Sequence, residues 1–195
     1  MTPIDLTAAP TELRTPRLRL QSPRAEHAAP FAEALAASRP ELGFVSWGQQ
    51  PRDLAWAQRF CDDEARVVAE GRGLAFHVLE AADGGWVGRI DIHTLDLEAA
   101  RGEIGYVGHS QHAGRGLMRE ATLAVIELCF GLGFERIEAM SDARNTRALR
   151  FADSLGLQRE GLLRRHERDL QGHHCDMVLF AALRPQGAAL AAPYT

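Results

Sequence analysis

The segment 103–120 constrains this chain more than any other. Glu103-Ile-Gly-Tyr-Val-Gly108 has the pattern of a strand, Gln111-His-Ala-Gly-Arg-Gly116 that of a glycine turn, and from Leu117 apolar residues recur at helical spacing. A strand that runs through a glycine turn into a helix aims unpaired backbone N–H groups and the positive end of a helix dipole at one point. That point is an anion site, and the segment reads as a cradle for a phosphorylated cofactor. A dinucleotide fold would carry this turn after the first strand of a parallel unit, with a third glycine at position 119, where the chain has Arg119. All 22 basic residues are arginine. A nucleotide-triphosphatase loop needs a lysine on the terminal phosphates and a pyridoxal enzyme needs a lysine Schiff base, so both chemistries fail.

The elements around this segment follow from periodicity. Arg17-Leu-Arg-Leu-Gln21 alternates as a half-buried strand does. A helix is expected from Arg24 to Pro40 with Phe31, Ala34 and Leu35 on one face, and a second from Asp53 to Gly71 carrying Leu54, Trp56, Phe60, Ala65 and Val68. Strands over 74–80 and 86–93, joined by Asp83-Gly-Gly, and the strand 103–108 form an antiparallel meander. The helix from Leu117 closes at Gly131 and Gly133, a strand occupies 136–141, and a helix follows Asn145. Strand, helix, strand is a right-handed crossover, so the sheet is mixed. Two strands, 158–170 and 174–183, turn about Gln171-Gly172. The expectation is one α/β (α+β) domain over 13–184, with a mixed, mostly antiparallel sheet of about six to seven strands and flanking helices. A loose leader over 1–12 and a flexible alanine-rich tail over 185–195 complete it.

Composition removes several functional classes. A net charge of −4 disfavours a nucleic-acid protein dominated by phosphate contacts. No apolar run approaches the roughly 18 residues needed to span a bilayer, so no membrane partner is expected and the reading is cytoplasmic. Cys61, Cys129 and Cys175 are far apart and odd in number, which suits neither a disulfide framework nor a zinc site. His173-His174-Cys175-Asp176 is no metal cluster either, because adjacent strand residues point to opposite faces.

Several separated motifs stand in one order: Thr15-Pro-Arg-Leu-Arg-Leu20, Gly105-Tyr-Val-Gly108, Gln111-x-x-Gly114-x-Gly116-Leu-Met-x-Glu120, Asn145, and Leu155-Gly-Leu-x-x-Glu160-Gly161. Together they resemble the GNAT acetyltransferases, and within them the RimJ/RimL type of ribosomal-protein N-terminal acetyltransferase, over nearly the whole chain. The resemblance implies the GNAT fold and acetyl-coenzyme A as cofactor. It implies a pyrophosphate on the turn formed by Gln111, His112, Ala113, Gly114, Arg115, Gly116, Leu117 and Met118, and a pantetheine arm pairing with the strand that ends at Gly108. Backbone at Val107 would then polarise the thioester carbonyl, Asn145 would hydrogen-bond the arm, and Arg147 and Arg150 lie within reach of the nucleotide phosphate.

Transfer to an amine needs a neutral nucleophile, hence a base. Glu167 falls where RimL-type enzymes carry a glutamate proposed as base, and Glu103 is the competing carboxylate. A peptide α-amine has a pKa of about 7.7–8 against about 10.4 for lysine, so a modest base suffices for an N-terminus. The donors expected to protonate the departing thiolate are absent: the family's serine falls on Ala148 and its tyrosine on Ala152. No cysteine lies in a segment expected to meet the thioester. The implied activity is direct acetyl transfer to an amine, foremost a protein N-terminal α-amine. A small-molecule amine, or a catalytically weak acyl-CoA-binding module, is the alternative. Trp47 and Trp56 are candidate walls of the acceptor cleft, and a homodimer is compatible with such a chain.

Overall fold

The computed structural model describes residues 3–45 and 50–186. Its elements are β1 (Glu12–Arg14), β2 (Leu18–Gln21), α1 (Ala28–Ala37), α2 (Leu54–Ala69), β3 (Leu74–Glu80), β4 (Trp86–Asp96), β5 (Arg101–Gly108), α3 (Leu117–Leu132), β6 (Arg136–Asp142), α4 (Thr146–Ser154), β7 (Gln158–Arg168) and β8 (His174–Leu183). The strands form one eight-stranded sheet in the order β1-β2-β3-β4-β5-β6-β8-β7. Every neighbouring pair is antiparallel except β5 and β6, which α3 joins as a crossover.

Alternation along each strand sends one set of side chains to each face of the sheet. Ile90 and Ile92 of β4, Ile104 of β5 and Ile137 of β6 pack with Leu117, Ala121 and Val125 of α3 and with Ala152 of α4. On the opposite face, Leu79, Trp86 and Val107 pack with Phe31 and Leu35 of α1 and with Ala57 and Cys61 of α2. Local signals set the helix boundaries. The Asp53 side chain caps α2 by accepting from the Trp56 N–H at 2.7 Å. Gly133, at φ 107°, ends α3 in the left-handed conformation that a residue with a Cβ adopts only under strain.

The feature that shapes the site is where β5 and β6 stop pairing. Their parallel ladder covers only Arg101–Glu103 against Arg136–Glu138. Past Glu103 the two strands part, and β5 from Ile104 onward keeps β4 as its one strand partner.

Two departures from expectation concern the N-terminal end. The sheet has eight strands because β1 pairs with β2. The segment expected to be a loose leader carries a short 3-10 turn at Leu6–Ala8, and Leu6 and Leu13 are both buried. A three-residue strand holds too few side chains to show a period, so nothing in the pattern announces it. Trp47 and most of the expected tail lie outside the described residues. Among the described residues no helix is long and apolar enough to cross a membrane.

Candidate active site

The parting of β5 and β6 opens a cavity of about 840 Å³. Glu103 to Val107 of β5 form one wall, Met140 to Asp142 of β6 another, and Asn145 and Ala148 of α4 close one side. Phe60 of α2 and the β7–β8 turn from Glu167 to Gln171 complete the lining. Both carboxylates singled out in the sequence, Glu103 and Glu167, face this space, and Asn145 does too. The structure places them differently. Glu167 is exposed on the edge strand β7, whereas Glu103 sits on an interior strand at the point where the sheet splits.

Glu103 ends a line of polar side chains that the sequence reading did not assemble. His93 stands opposite it in the β4–β5 ladder, with Nε2 3.9 Å from Glu103 Oε1. The other ring nitrogen, Nδ1, lies 3.0 Å from Asp91 Oδ2. Asp91 accepts from Arg89 Nη1 at 2.8 Å, and Arg89 Nε donates to Glu64 of α2 at 2.7 Å. Gly105 makes room for this line, since a Cβ there would meet Asp91 Oδ1 at 2.6 Å. Further in, the buried His77 accepts from Trp86 Nε1 at 2.9 Å, which puts its own proton on Nε2, facing Cys61 and Glu64. Burial pushes His77 down to about 2, so it stays neutral.

The electrostatics follow from these contacts. Burial pushes the Glu103 carboxyl above the ordinary glutamate range; His93 opposes that push, and Glu167, Glu138 and Asp91 reinforce it. The Asp91 hydrogen bond raises His93 above the usual histidine value against the pull of burial. Burial works against the Asp91 carboxylate as well, but hydrogen bonds from His93 and Arg89 and the Arg89 charge hold it below the ordinary range. A carboxyl and an imidazole therefore stand beside one another in the cavity, each raised above its ordinary pKa.

The glycine turn lies at the far end of β5. Gly114 and Gly116 have φ values of 78° and 72°, and Gly116 is the N-cap of α3. Among the described residues the amides of Gly114 and Gly116 have no backbone acceptor, and the first-turn amides of α3 have none within the helix. A Cβ on Gly114 would meet nothing within 4 Å, so the backbone there borders open space. The Arg115 N–H between the two glycines donates to the His112 carbonyl at 3.4 Å, so the amides of Gly114, Gly116 and the first turn of α3 are those that fit a pyrophosphate in this open concavity. The side chains of this turn are engaged elsewhere. Arg115 makes a forked pair with Glu80 at 2.6 and 2.7 Å, and His112 Nδ1 lies 3.0 Å from the same carboxylate. Gln111 is exposed, and Arg147 is exposed in the first turn of α4.

Asn145 is the N-cap of α4: its Oδ1 accepts from the Ala148 N–H at 3.1 Å, leaving the Nδ2 donors for the cavity. Among the lining residues that sequence reasoning had left out, two bear on proton chemistry at the thioester. Tyr106 of β5 packs edge-on against Phe151 of α4 at 4.7 Å, and burial pushes its phenol up to about 12, so it remains protonated. Cys175, at the start of β8, also lines the space, whereas no cysteine was expected near it. The β7–β8 pairing that puts Cys175 opposite Glu167 could not be read from spacing. Trp56 stacks on Phe60 at 4.9 Å, and it is Phe60 that reaches the cavity.

Comparison with known proteins bears on this geometry. The family described as Acetyltransferase (GNAT) domain matches residues 17–158. The N-acetyltransferase p20 of Bacillus licheniformis is 32% identical over 120 residues, 61% of this chain and 67% of that protein. Among solved structures, the microcin C7 self immunity acetyltransferase MccE, in complex with acetyl-CoA and AMP, superposes with a TM-score of 0.82 at 16% identity, covering 92% of this chain and 99% of that one. RimL, the ribosomal L7/L12 alpha-N-protein acetyltransferase, solved with coenzyme A, does so with a TM-score of 0.79 at 15% identity, covering 89% and 96%.

Proposed function

The chain belongs to the GNAT acetyltransferase family and is an N-acetyltransferase; on that premise we propose that it moves the acetyl group of acetyl-CoA directly to a protein N-terminal α-amine bound between β5 and β6. The observation that carries this reading is the early end of the β5–β6 ladder at Glu103. It leaves one edge of β5 unpaired along the cavity, with the free amides of the glycine turn at one end and a half-buried carboxylate at the other.

Acetyl-CoA supplies an activated thioester. Within the turn from Ala113 to Met118, the amides of Gly114, Gly116, Leu117 and Met118 hold its phosphates, helped by the dipole of α3. The free β5 edge pairs with the arm, a backbone N–H on that edge beside Val107 donates to the carbonyl oxygen as charge develops there, and the Asn145 amide fixes the arm from the other side. Arg147 adds charge near the nucleotide. The acceptor amine arrives protonated in a space where, among the described residues, Glu103 faces His93 and neither Glu103 nor Glu167 is paired with an arginine, whereas Arg144 pairs with Asp142 and Asp169. Glu103 takes one proton from the ammonium, and the neutral nitrogen attacks the thioester carbon to give a tetrahedral intermediate. Collapse of that intermediate breaks the carbon–sulfur bond as the second nitrogen proton passes through solvent to the departing thiolate. Ala148 and Ala152 offer no proton for the thiolate, and Tyr106, held as a phenol in the same lining, supplies the hydrogen bond. Glu103 is preferred to Glu167 as base because burial raises its pKa toward working pH, which favours proton transfer.

Likeness to the RimL structure supports the α-amine, and the low intrinsic pKa of such amines supports a single modest base. Thiol release from acetyl-CoA, measured with Ser- and Ala-starting peptides beside spermidine and free amino acids, tests the reading. Acetylated peptide N-termini in the mass spectrum are expected. Turnover of the small amines alone would move the acceptor to that class, and thiol release that no acceptor accelerates would overturn transfer at this site.

A further inference from the structure

The opening motif Thr15-Pro-Arg-Leu-Arg-Leu20 lies outside the cavity lining, and nothing above gives it a task. The structure brings its first residues to the glycine turn, about a hundred positions away in sequence. Arg17 Nε donates to Glu120 Oε2 at 2.6 Å, Nη1 to the Arg115 carbonyl at 3.0 Å and Nη2 to the Gly116 carbonyl at 3.4 Å. The Arg17 backbone N–H and the Thr15 hydroxyl both donate to Glu120 Oε1, at 3.1 and 2.5 Å. Thr15 Oγ1 also accepts from the Leu18 N–H at 3.2 Å, which fixes the hydroxyl at the head of β2.

Peptide planarity turns these contacts into a statement about the cradle. In a trans peptide the carbonyl of one residue and the N–H of the next point in opposite directions. A guanidinium that holds the carbonyls of Arg115 and Gly116 therefore turns the N–H groups of Gly116 and Leu117 away from itself, toward the open side of the turn. Glycines at 114 and 116 leave the turn free to rotate; the Gly116 carbonyl also accepts from the Glu120 N–H at 3.1 Å, so Arg17 reinforces the helix at the second plane and fixes the first through the Arg115 carbonyl. The same guanidinium also masks a charge. Glu120 sits in the first turn of α3, where a bare carboxylate would oppose an incoming phosphate. Burial pushes its carboxyl up, but the hydrogen bonds from Thr15 and Arg17 more than reverse this, so it remains an ionised anchor for the arginine.

We propose that Arg17, anchored through Glu120 and Thr15, is a positioning residue that orients the Gly116 and Leu117 amides for the phosphates of acetyl-CoA. This rests on the reading of residues 113–118 as the pyrophosphate cradle. A donor without phosphates separates orientation of the cradle from general support of the fold. Purified full-length Arg17→Ala, Arg17→Lys, Thr15→Val and Gly114→Val proteins are titrated with CoA by calorimetry and assayed with acetyl-CoA and with acetyl-pantetheine, which carries the same thioester and no pyrophosphate.

Loss of two charge-assisted hydrogen bonds predicts CoA binding about tenfold or more weaker in Arg17→Ala. Lysine keeps the charge but not the fork and restores only part of that affinity. Thr15→Val, which leaves Arg17 in place, shows the same bias toward the phosphate-bearing donor in milder form. Turnover of acetyl-pantetheine should stay within about twofold of the parent in both Arg17 variants, because that donor makes no use of the oriented amides. Equal losses on the two donors would overturn the inference and make Arg17 a structural residue. Unchanged CoA affinity in Arg17→Ala beside lost affinity in Gly114→Val would overturn it while keeping the cradle. Full affinity in Gly114→Val would overturn the cradle and the inference with it.

Discussion

The two faces of β4 are built from opposite chemistry on one backbone. Ile90 and Ile92 point to α3 and are fully enclosed in hydrocarbon. Arg89, Asp91 and His93, alternating with them, point to α2 and the cavity and form a polar line that runs from the buried Arg89 through the half-buried Asp91 to the exposed His93. The apolar face gains about 25 cal/mol for each Å² it removes from water. The polar face gains little, because desolvating Arg89, Glu64 and Asp91 offsets most of their mutual attraction. Net stability and chemistry are thus divided between alternate residues of one strand. The apolar face should spare rate when it is cut back, and the polar face should cost stability only where one partner of an ion pair is left alone.

The largest effect that would break this division is on rate. Glu103→Gln keeps the shape of the cavity wall and removes the proton acceptor, so kcat should fall by roughly 10²- to 10⁴-fold. The melting temperature should hold or rise, since burial disfavours the charge that is lost. Glu167→Gln is the control: a drop as large there, with Glu103→Gln nearly silent, would hand the base to the edge strand.

Arg89→Met comes next. It leaves Glu64 and Asp91 facing each other's charge without the guanidinium between them, at a cost of about 3–5 kcal/mol in urea unfolding. Adding Glu64→Leu should recover most of that loss. If the double variant is no more stable than the single one, the network contributes to stability after all, and the contrast between the faces weakens. Ile90→Ala on the other face should lose about 2–5 kcal/mol through lost burial and the void left behind, with kcat per folded molecule close to the parent value.

The same division explains what was legible in the sequence. The glycine turn, the helix it opens and the meander 74–108 are local patterns, and spacing alone placed them within a few residues of the observed bounds. Asn145 was readable both as a cap and as a cavity residue, and it is the N-cap of α4 beside the cavity. The line Glu64–Arg89–Asp91–His93–Glu103 was not legible. Its members come from α2, β4 and β5, and each alone looks like an ordinary polar residue of an amphipathic element. One signal was present: Arg89, Asp91 and His93 alternate with isoleucines along one strand, and three charged or titratable residues on one face beside a buried segment call for partners. Tyr106 and Cys175 were missed for a related reason. Register between β7 and β8, and the divergence of β5 from β6, decide which residues meet, and neither is encoded in any one stretch.

The smallest effect is a shift in pH dependence, and it tests whether His93 and Glu103 act as a coupled pair. Glu103 must be ionised to accept a proton, so kcat should decline as pH falls through its folded pKa, which burial places above the ordinary glutamate value. His93 opposes that elevation, while Glu138, Glu167 and Asp91 add to it and Arg89 lowers the pKa of His93 itself. Replacing His93 with Gln removes the one group that favours the Glu103 carboxylate, so the acid limb should move to higher pH. Stability should shift as well. A histidine with a raised folded pKa stabilises the protein below its ordinary value of about 6.5, and the contribution fades as pH rises through the folded pKa. His93→Gln should therefore narrow the difference in melting temperature between mildly acidic and mildly alkaline buffer. An acid limb that moves to lower pH, or stays where it is, would mean that the imidazole is turned from Glu103 toward solvent and that the polar face ends at Asp91.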